Sequence, residues 1–199
     1  MAIIYDIETL SQDQHRGVIV SIALLNFDMN RLMHGKAYEW DELIGDVQFL
    51  KFDVESQVKK YGRTICTDTL NWWKNQGPEA QKQLTPTPDD VDISELYSWF
   101  VSNTSSDVDM AFTRNNTFDP VFVQYICSQF GDPMPHKWWV IRDTKSLLNG
   151  MTWGQDISDK FIPDGLESKF IAHDPRHDVV MDVMRIQYVS RLLIDEIPF

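Results

Sequence analysis

Three short clusters of acidic residues could hold divalent metal ions. The first is Asp6 and Glu8, two positions apart within an apolar run. Side chains two apart on a strand leave the same face, so both carboxylates converge on one spot. Unpaired carboxylates in apolar surroundings lose solvation, repel each other and raise each other's pKa. Bound cations would offset this electrostatic cost. Taken alone, a D-x-E triplet is common by chance and fits a solvent-facing edge strand better.

The second cluster is Asp119 with the residues before it, among them Asn115 and Phe118. Asp119 begins a predicted helix that follows a predicted strand, and open α/β sheets place ligands at such helix starts. An acid at a helix N-terminus also caps free N–H groups and interacts favourably with the helix dipole. By itself, capping is the simpler interpretation.

The third cluster is the run AHDPRHDVVMD near the end of the chain. It places His173 just outside the last predicted helix and Asp178 one turn inside it, so the imidazole can reach the site that Asp178 faces. The simpler alternative is that Asp174 caps the helix, Asp178 favours its dipole, and His173 and His177 are ordinary polar residues. These simpler roles do not explain why the three clusters occur together.

The elements that must position these clusters follow from hydrophobic periodicity and from Gly and Pro breaks. Two β-branched runs joined by a polar loop predict an antiparallel strand pair, and strands then alternate with helices. We expect one α/β domain over residues 1–199, with a mixed sheet flanked by helices. The predicted strands are 2–8, 18–27, 35–40, 47–52, 108–113 and 138–142, and the predicted helices are 53–61, 67–82, 93–101, 119–130 and 175–193.

Asp182 lies four residues after Asp178 on the same helical face, where Arg185 can also reach it. We predict a structural or supporting role for Asp182.

The composition supports a folded chain but not an obvious nucleic-acid binder. Its 199 residues are 43% hydrophobic, enough for one core, and no apolar window is long enough to cross a membrane. We expect a soluble, cytoplasmic protein, with Cys66 and Cys127 as buried free thiols. The net charge of −12 argues against phosphate binding unless metal ions neutralise an acidic site.

Three motifs together carry a family resemblance. D-x-E-T begins at Asp6, N-x-x-F-D ends at Asp119, and H-x-x-x-x-D joins His173 to Asp178. This set resembles the DEDDh 3′-to-5′ exonucleases. The resemblance implies a ribonuclease H-like fold, two Mg²⁺ or Mn²⁺ ions, and hydrolysis that releases nucleoside 5′-monophosphates from the 3′ end of a strand.

The resemblance also implies roles for the acids and the histidine. Asp6 is the expected bridging ligand between the two ions. Glu8 and Asp178 would complete one metal site, and Asp119 would hold the other ion, often through water. His173 would take a proton from the attacking water, which suits a group whose pKa is near neutrality.

Substrate contacts are predicted from the same motifs. Thr9 and Leu10 would contact the terminal sugar and base, with Phe118 packed beside that base and Asn115 nearby in its motif.

Trp72 and Trp73 could offer a stacking face to an unpaired base. Adjacent helical residues point about 100° apart, so one of the two is expected in the core. Taken singly, either tryptophan is better interpreted as a core residue.

Longer runs narrow the resemblance. TLNWWKNQGPEAQK at 69–82, KFD at 51–53 and AHDPRHD at 172–178 resemble phage-encoded exonucleases A of the T4 type. The same branch is similar to a bacterial exoribonuclease family, so single-stranded DNA is favoured but RNA stays open. His177 stands where the wider family more usually has a small apolar residue, which leaves His173 or His177 as the base.

Two other classes of function stay open. A binding module on the same fold would hold nucleic acid without cutting it, although the complete acid set argues against this. A metal phosphatase acting on small nucleotides would use the same ions. The sequence also leaves the oligomeric state open, including a homodimer.

Overall fold

The first strand, β1 (Ala2–Thr9), lies at the centre of a five-stranded mixed sheet. The computed structural model describes the backbone of residues 1–196 and the side chains up to residue 193. β1 pairs antiparallel with β2 (Ile19–Phe27) and parallel with β4 (Met110–Thr113). Across the sheet the order is β3 (Gln48–Lys51), β2, β1, β4 and β5 (Ile141–Asp143), so the sheet is antiparallel on one side of β1 and parallel on the other.

The remaining elements complete an α/β architecture. The α-helices are α1 (Met29–His34), α2 (Trp40–Asp46), α3 (Val54–Tyr61), α4 (Thr67–Lys74), α5 (Pro78–Lys82), α6 (Leu96–Asn103), α7 (Asp119–Gln129), α8 (Thr144–Met151) and α9 (Pro175–Glu196).

Alternate residues of β1 build two cores, one on each face of the sheet. Ala2 and Ile4 face the layer that contains α9, whereas Tyr5 faces α6 and α7. The Tyr5 ring meets Phe100 of α6 edge-on, with 5.2 Å between ring centroids. Because side chains alternate along a strand, Asp6 and Glu8 emerge on the α9 face, where the third acidic cluster lies.

The extended piece predicted at 35–40 does not form a strand of the sheet, although Gly35 and Glu39 have extended backbone angles. Gly35 ends α1, and the following backbone is held by a side chain of α9 instead of a strand. Gln187 accepts a hydrogen bond from the Tyr38 N–H at 2.7 Å and donates one to the Tyr38 carbonyl at 3.1 Å. A distant glutamine therefore satisfies backbone groups that a strand ladder would otherwise pair.

Other boundaries differ from the predictions for local reasons. The helix predicted over 67–82 breaks before Pro78, which begins α5. Residues 138–140 form a 3-10 turn instead of a strand, and α8 was not predicted. Cys127 is buried as expected, but Cys66 is partly exposed at the start of α4, so its predicted burial is wrong.

None of the helices within residues 1–196 has both the length and the apolar composition that crossing a bilayer requires.

Candidate active site

Asp119 meets the acid pair of β1 because the neighbouring strand β4 is short. The pairing of β4 with β1 extends only to Ile4, and β4 ends at Thr113. β1 continues past this point, and the Asp119 carboxylate takes the place of a strand partner. Its Oδ1 accepts a hydrogen bond from the Ile7 N–H at 3.2 Å. The start of α7 is thereby fixed against the strand segment that carries Asp6.

His173 and Asp178 are joined by a hydrogen bond at the start of α9. The Asp174 carboxylate caps this helix by accepting from the N–H of Arg176 at 3.1 Å. His173, just before the cap, has a positive φ of 63°, and its N–H donates to Asp178 Oδ2 at 2.9 Å. Potential ligand atoms of Glu8, His173 and Asp178 lie within 4.8 Å of one another.

One cavity of about 420 Å³ brings the three sequence clusters together. We call it the acidic cavity. Its lining includes Asp6, Glu8, Arg114, Asn115, Phe118, Asp119, Lys160, His173, Asp178 and Asp182.

Burial raises the pKa of all four acids, and the charges of neighbouring carboxylates add to the rise. Burial raises the pKa of Asp6 most, followed by the charges of Asp119 and Glu8. The pKa of Glu8 is raised by burial and then by the charges of Asp178 and Asp119. Burial is also the largest cause that raises the pKa of Asp119 and of Asp178 to about 7. Full ionisation of the cluster therefore requires a compensating cation.

The donor set fits a hard divalent cation. Carboxylate oxygens are the ligands that Mg²⁺ and Mn²⁺ prefer. Among the described side chains, no lysine or arginine forms an ion pair with Asp6, Glu8, Asp119 or Asp178. The four acids thus lie together without a direct ion pair to any described lysine or arginine, although Arg114, Lys160 and Arg185 line the same cavity.

Asp182, one helical turn beyond Asp178, is balanced by the protein itself. Its Oδ1 accepts hydrogen bonds from Arg114 Nη1 at 2.6 Å and from Arg185 Nη1 at 2.8 Å. Burial raises the pKa of Asp182, and the two guanidinium groups oppose that rise. The expected contact with Arg185 is present, and Arg114 joins it from the loop after β4.

The two neighbouring histidines have different surroundings. His173 lines the acidic cavity, and its ring lies edge-on to Trp72 with 4.7 Å between centroids. Burial, followed by the charge of Lys160, lowers the pKa of His173. The His177 ring faces Trp40, with 5.6 Å between ring centroids, and its Nδ1 accepts a hydrogen bond from the Ile171 N–H. Only His173 of the pair therefore lines the acidic cavity.

The predicted substrate residues divide into cavity and core positions. Thr9, Trp72 and Phe118 line an adjoining cavity of about 540 Å³, which also includes Glu8; we call it the flanking cavity. Asn115 is exposed at the rim of the acidic cavity.

The structure does not bring Leu10 or Trp73 to these cavities. Leu10 packs in a small core with Trp73, which is 1% exposed and donates from Nε1 to the Thr9 carbonyl at 2.9 Å. Trp72 is 43% exposed, so one tryptophan of the pair is core and the other is accessible.

Arg114 and Lys160 also line the acidic cavity, although the sequence did not single them out. Arg114 precedes the N-x-x-F-D motif by one residue, a position that could have drawn attention to it. Lys160 lies in an irregular loop, and no local pattern marks it. Arg114 Nη2 donates to the carbonyl and to the carboxylate of Asp159, which fixes this loop beside the cavity.

The architecture is shared with solved exonuclease I structures. The chain is similar to exonuclease I from Methylocaldum szegediense, at 16% identity and a TM-score of 0.58, covering 98% of this chain and 40% of that one. It is also similar to E. coli exonuclease I in complex with a 5cy-dA13 oligonucleotide, at 14% identity and a TM-score of 0.57, covering 96% and 40%. The chain thus spans about 40% of the length of these proteins, and the likeness shows a shared fold.

Sequence comparison gives a relative of similar length. The chain is 28% identical over 206 residues to the exodeoxyribonuclease of Enterobacteria phage T4, covering 94% of this chain and 88% of the relative. Residues 1–181 match the family described as the 3′-5′ exoribonuclease Rv2179c-like domain, a range that includes Asp6, Glu8, Asp119 and Asp178. The chain therefore belongs to the 3′-5′ exoribonuclease Rv2179c-like domain family and is a 3′-5′ exonuclease.

Proposed function

We propose that the chain removes nucleoside 5′-monophosphates from the 3′ end of single-stranded nucleic acid, with two Mg²⁺ or Mn²⁺ ions held by Asp6, Glu8, Asp119 and Asp178. One observation carries the proposal. Four buried or partly buried acids from β1, α7 and α9 face one cavity, and none of them forms an ion pair with a described lysine or arginine side chain. When bound, two such ions would activate the attacking water, stabilise the leaving oxygen and neutralise charge at phosphorus.

The positions of the acids support a division of roles between the two proposed ions. Glu8 and Asp178 are close enough to share one ion, since their ligand atoms lie within 4.8 Å. Asp6 emerges on the same strand face and would bridge the two ions. Asp119 already gives one oxygen to the Ile7 N–H, which suits a less direct contact with the second ion, often through water.

His173 would accept the proton of the attacking water. It is the histidine of the acidic cavity, and its lowered pKa favours the neutral imidazole that a base needs. Trp72 supports one side of this ring and leaves part of its own surface accessible.

The flanking cavity would receive the 3′-terminal nucleotide. Thr9 and Phe118 line it beside Glu8, where a terminal sugar and base would lie against the acids. Trp72 on the same wall offers a face for stacking, an interaction that tolerates any base.

DNA is the substrate that we favour, because the phage T4 relative covers most of the chain and is named an exodeoxyribonuclease. An exoribonuclease is the second candidate, because the matching family is described by that activity.

The test uses single-stranded DNA and RNA of the same sequence, labelled at either end. With Mg²⁺ or Mn²⁺, the 5′-labelled strand should shorten stepwise, whereas a 3′ label should appear at once in a mononucleotide. EDTA and the substitution Asp6→Asn should abolish both. Asp109→Asn is the matched control, because it removes the same charge from a side chain that is 82% exposed.

Three outcomes would contradict the proposal. If the 5′ label were released first, the protein would degrade the strand from its 5′ end. Binding without shortening would support a non-catalytic module, and phosphate release from mononucleotides alone would support a phosphatase.

A further inference from the structure

A second surface with chemistry suited to nucleic acid lies outside the acidic cavity. A cavity of about 570 Å³ is lined by Asn116, His136, Lys137 and Trp138, among others, and it shares no lining residue with the acidic cavity. We call it the tryptophan cavity. None of the roles described above uses it.

Two tryptophans at this surface are exposed to an extent that packing does not explain. Trp138 is 76% exposed and Trp139 is 56% exposed, whereas Trp73 in the core is 1% exposed. The rings of Trp138 and Trp139 meet edge-on, with 5.7 Å between centroids. Adjacent exposed indoles of this size usually mark a binding surface. Each offers a flat π-face on which an unpaired base can stack.

The chain segment that carries these rings is basic, in contrast to the protein as a whole. Between Asp132 and Asp156 the chain carries Lys137, Arg142 and Lys145 against Asp143 alone, although the net charge of the protein is −12. The Asp143 carboxylate is occupied by the backbone N–H groups of Asn116 and Ser146.

The cations lie close to the indoles. The Lys137 Nζ lies 5.5 Å from the centre of the Trp139 ring, and Arg142 Nη1 donates to the Trp139 carbonyl at 2.8 Å. A surface that combines basic side chains with exposed aromatic rings complements a single-stranded polyanion.

The tryptophan cavity begins where the acidic cavity ends. Asn115 lines the acidic cavity, and Asn116 lines the tryptophan cavity. The Asn116 N–H donates to Asp143 Oδ2 at 3.2 Å, which fixes this loop to the end of β5. His136 is also anchored, through a 2.9 Å hydrogen bond between its Nε2 and the Tyr5 hydroxyl on the α6 and α7 side of the sheet. A strand whose 3′ end lies at the acids would pass the loop of Asn115 and Asn116 on its way to the tryptophans.

We propose that Lys137, Trp138, Trp139 and Arg142 bind the single-stranded substrate upstream of its 3′-terminal nucleotide, by stacking on bases and pairing with phosphates. This proposal rests on the proposed function, because it assigns a place to the rest of the strand whose end is cut. The surface supplies the positive charge that the overall composition lacks. Its contribution should depend on substrate length and not on sequence.

The experiment compares Trp138→Ala and Trp138→Phe with Trp153→Ala across substrates from dinucleotides to roughly thirty-mers. Trp153 is the matched control, since it is 88% exposed and lines neither cavity. Trp138→Ala should raise KM for the long substrates by roughly 5- to 100-fold and leave the dinucleotide and kcat unchanged. Trp138→Phe should recover most of the loss, and Trp153→Ala should behave like the unaltered protein.

Charge substitutions give an independent measurement. Binding of long oligonucleotides to the Asp6→Asn protein should weaken with Lys137→Gln, and the plot of log affinity against log salt should become shallower by about one unit. Because this measurement is made without turnover, it tests the surface even if the proposed chemistry fails.

Two results would overturn the proposal. The first is a KM for long substrates that Trp138→Ala does not change, or changes equally for dinucleotides. The second is a dimer in sedimentation that Trp138→Ala dissociates without affecting oligonucleotide binding, since the surface would then join two copies of the chain. Failure of the proposed function would be seen separately, as an unaltered protein that shortens no substrate.

Discussion

Two acids on the same face of α9 differ in their ionic partners. Asp182 is buried and balanced by Arg114 and Arg185. Asp178, one turn earlier, has the N–H of His173 as a partner but no guanidinium or ammonium group among the described side chains. A buried carboxylate is normally paired because an isolated charge is costly in apolar surroundings.

The difference separates an acid whose charge the protein itself neutralises from acids that have no such partner. Asp182 holds the loop after β4 to α9 and so helps to shape the cavity. Asp178, with Asp6, Glu8 and Asp119, forms no ion pair with a described lysine or arginine, and under the proposed function a cation from solution would balance these four acids. If this contrast is right, substitutions at the two kinds of acid should affect different properties of the protein.

Asp178→Asn should reduce the turnover of a single-stranded oligonucleotide by about a thousandfold or more, because it removes a charge that holds a catalytic ion. Folding should be preserved, since the amide is nearly the same shape and no protein cation loses its partner. Steady-state rates and circular dichroism would measure the two effects. The exposed Asp109→Asn should retain full activity, and comparable loss in that variant would show that general charge is responsible.

Asp182→Ala should act mainly on stability. Removing one partner of a buried ion pair typically costs about 3–5 kcal/mol. Here the change would leave the Arg185 guanidinium without a carboxylate, whereas Arg114 would keep its ion pair with Asp159. Urea unfolding would measure this loss in the free energy of unfolding. If Asp182→Ala instead folded normally and shifted the Mg²⁺ concentration needed for activity, Asp182 would belong with the metal-binding acids and the contrast would fail.

His173→Gln should lower kcat by about 10²- to 10³-fold, in the range expected for loss of a general base. His177→Gln is the matched control, because that ring faces Trp40 and does not line the acidic cavity. The Mn²⁺ dependence of activity should stay unchanged in His173→Gln. A large rise in the metal concentration required would identify His173 as a ligand instead.

The unbalanced acids should make the metal-free protein sensitive to pH. The pKa values of Asp119 and Asp178 are raised to about 7, so the folded state binds more protons than the unfolded state between the two sets of pKa values. Stability should therefore fall as pH rises from about pH 5 to about pH 8 in EDTA. Saturating Mn²⁺ should remove most of this fall.

Thermal unfolding of the metal-free protein across that pH range would measure the effect. Asp178→Asn should reduce the slope and raise Tm at the higher pH. A metal-free protein that gains stability with rising pH would contradict the interpretation of the acids as unbalanced.

The sequence predicted the parts of the fold that are determined locally. The alternation of β1 placed Asp6 and Glu8 on one face, and the Asp-Pro start of α9 placed His173 and Asp178 beside each other. The α/β architecture with a mixed sheet is confirmed. Each of these features depends on residues close together in the chain.

The features that the sequence did not predict depend on distant contacts. Residues 35–40 were expected to be extended, but Gln187 from α9 pairs their backbone. The Arg114 contact with Asp182 joins residues far apart in sequence. The choice between Trp72 and Trp73 also required the packed structure, because periodicity shows that one is buried without showing which.

The early end of β4 has a consequence for attempts to make the protein more regular. If β4 were extended by design, a backbone carbonyl could take the Ile7 N–H that Asp119 now accepts. That change would give a more regular sheet. It would also break the hydrogen bond from the Ile7 N–H that orients the Asp119 carboxylate toward the cavity. A more regular sheet would then disturb the geometry of the proposed active site, so stabilising designs should leave β4 short.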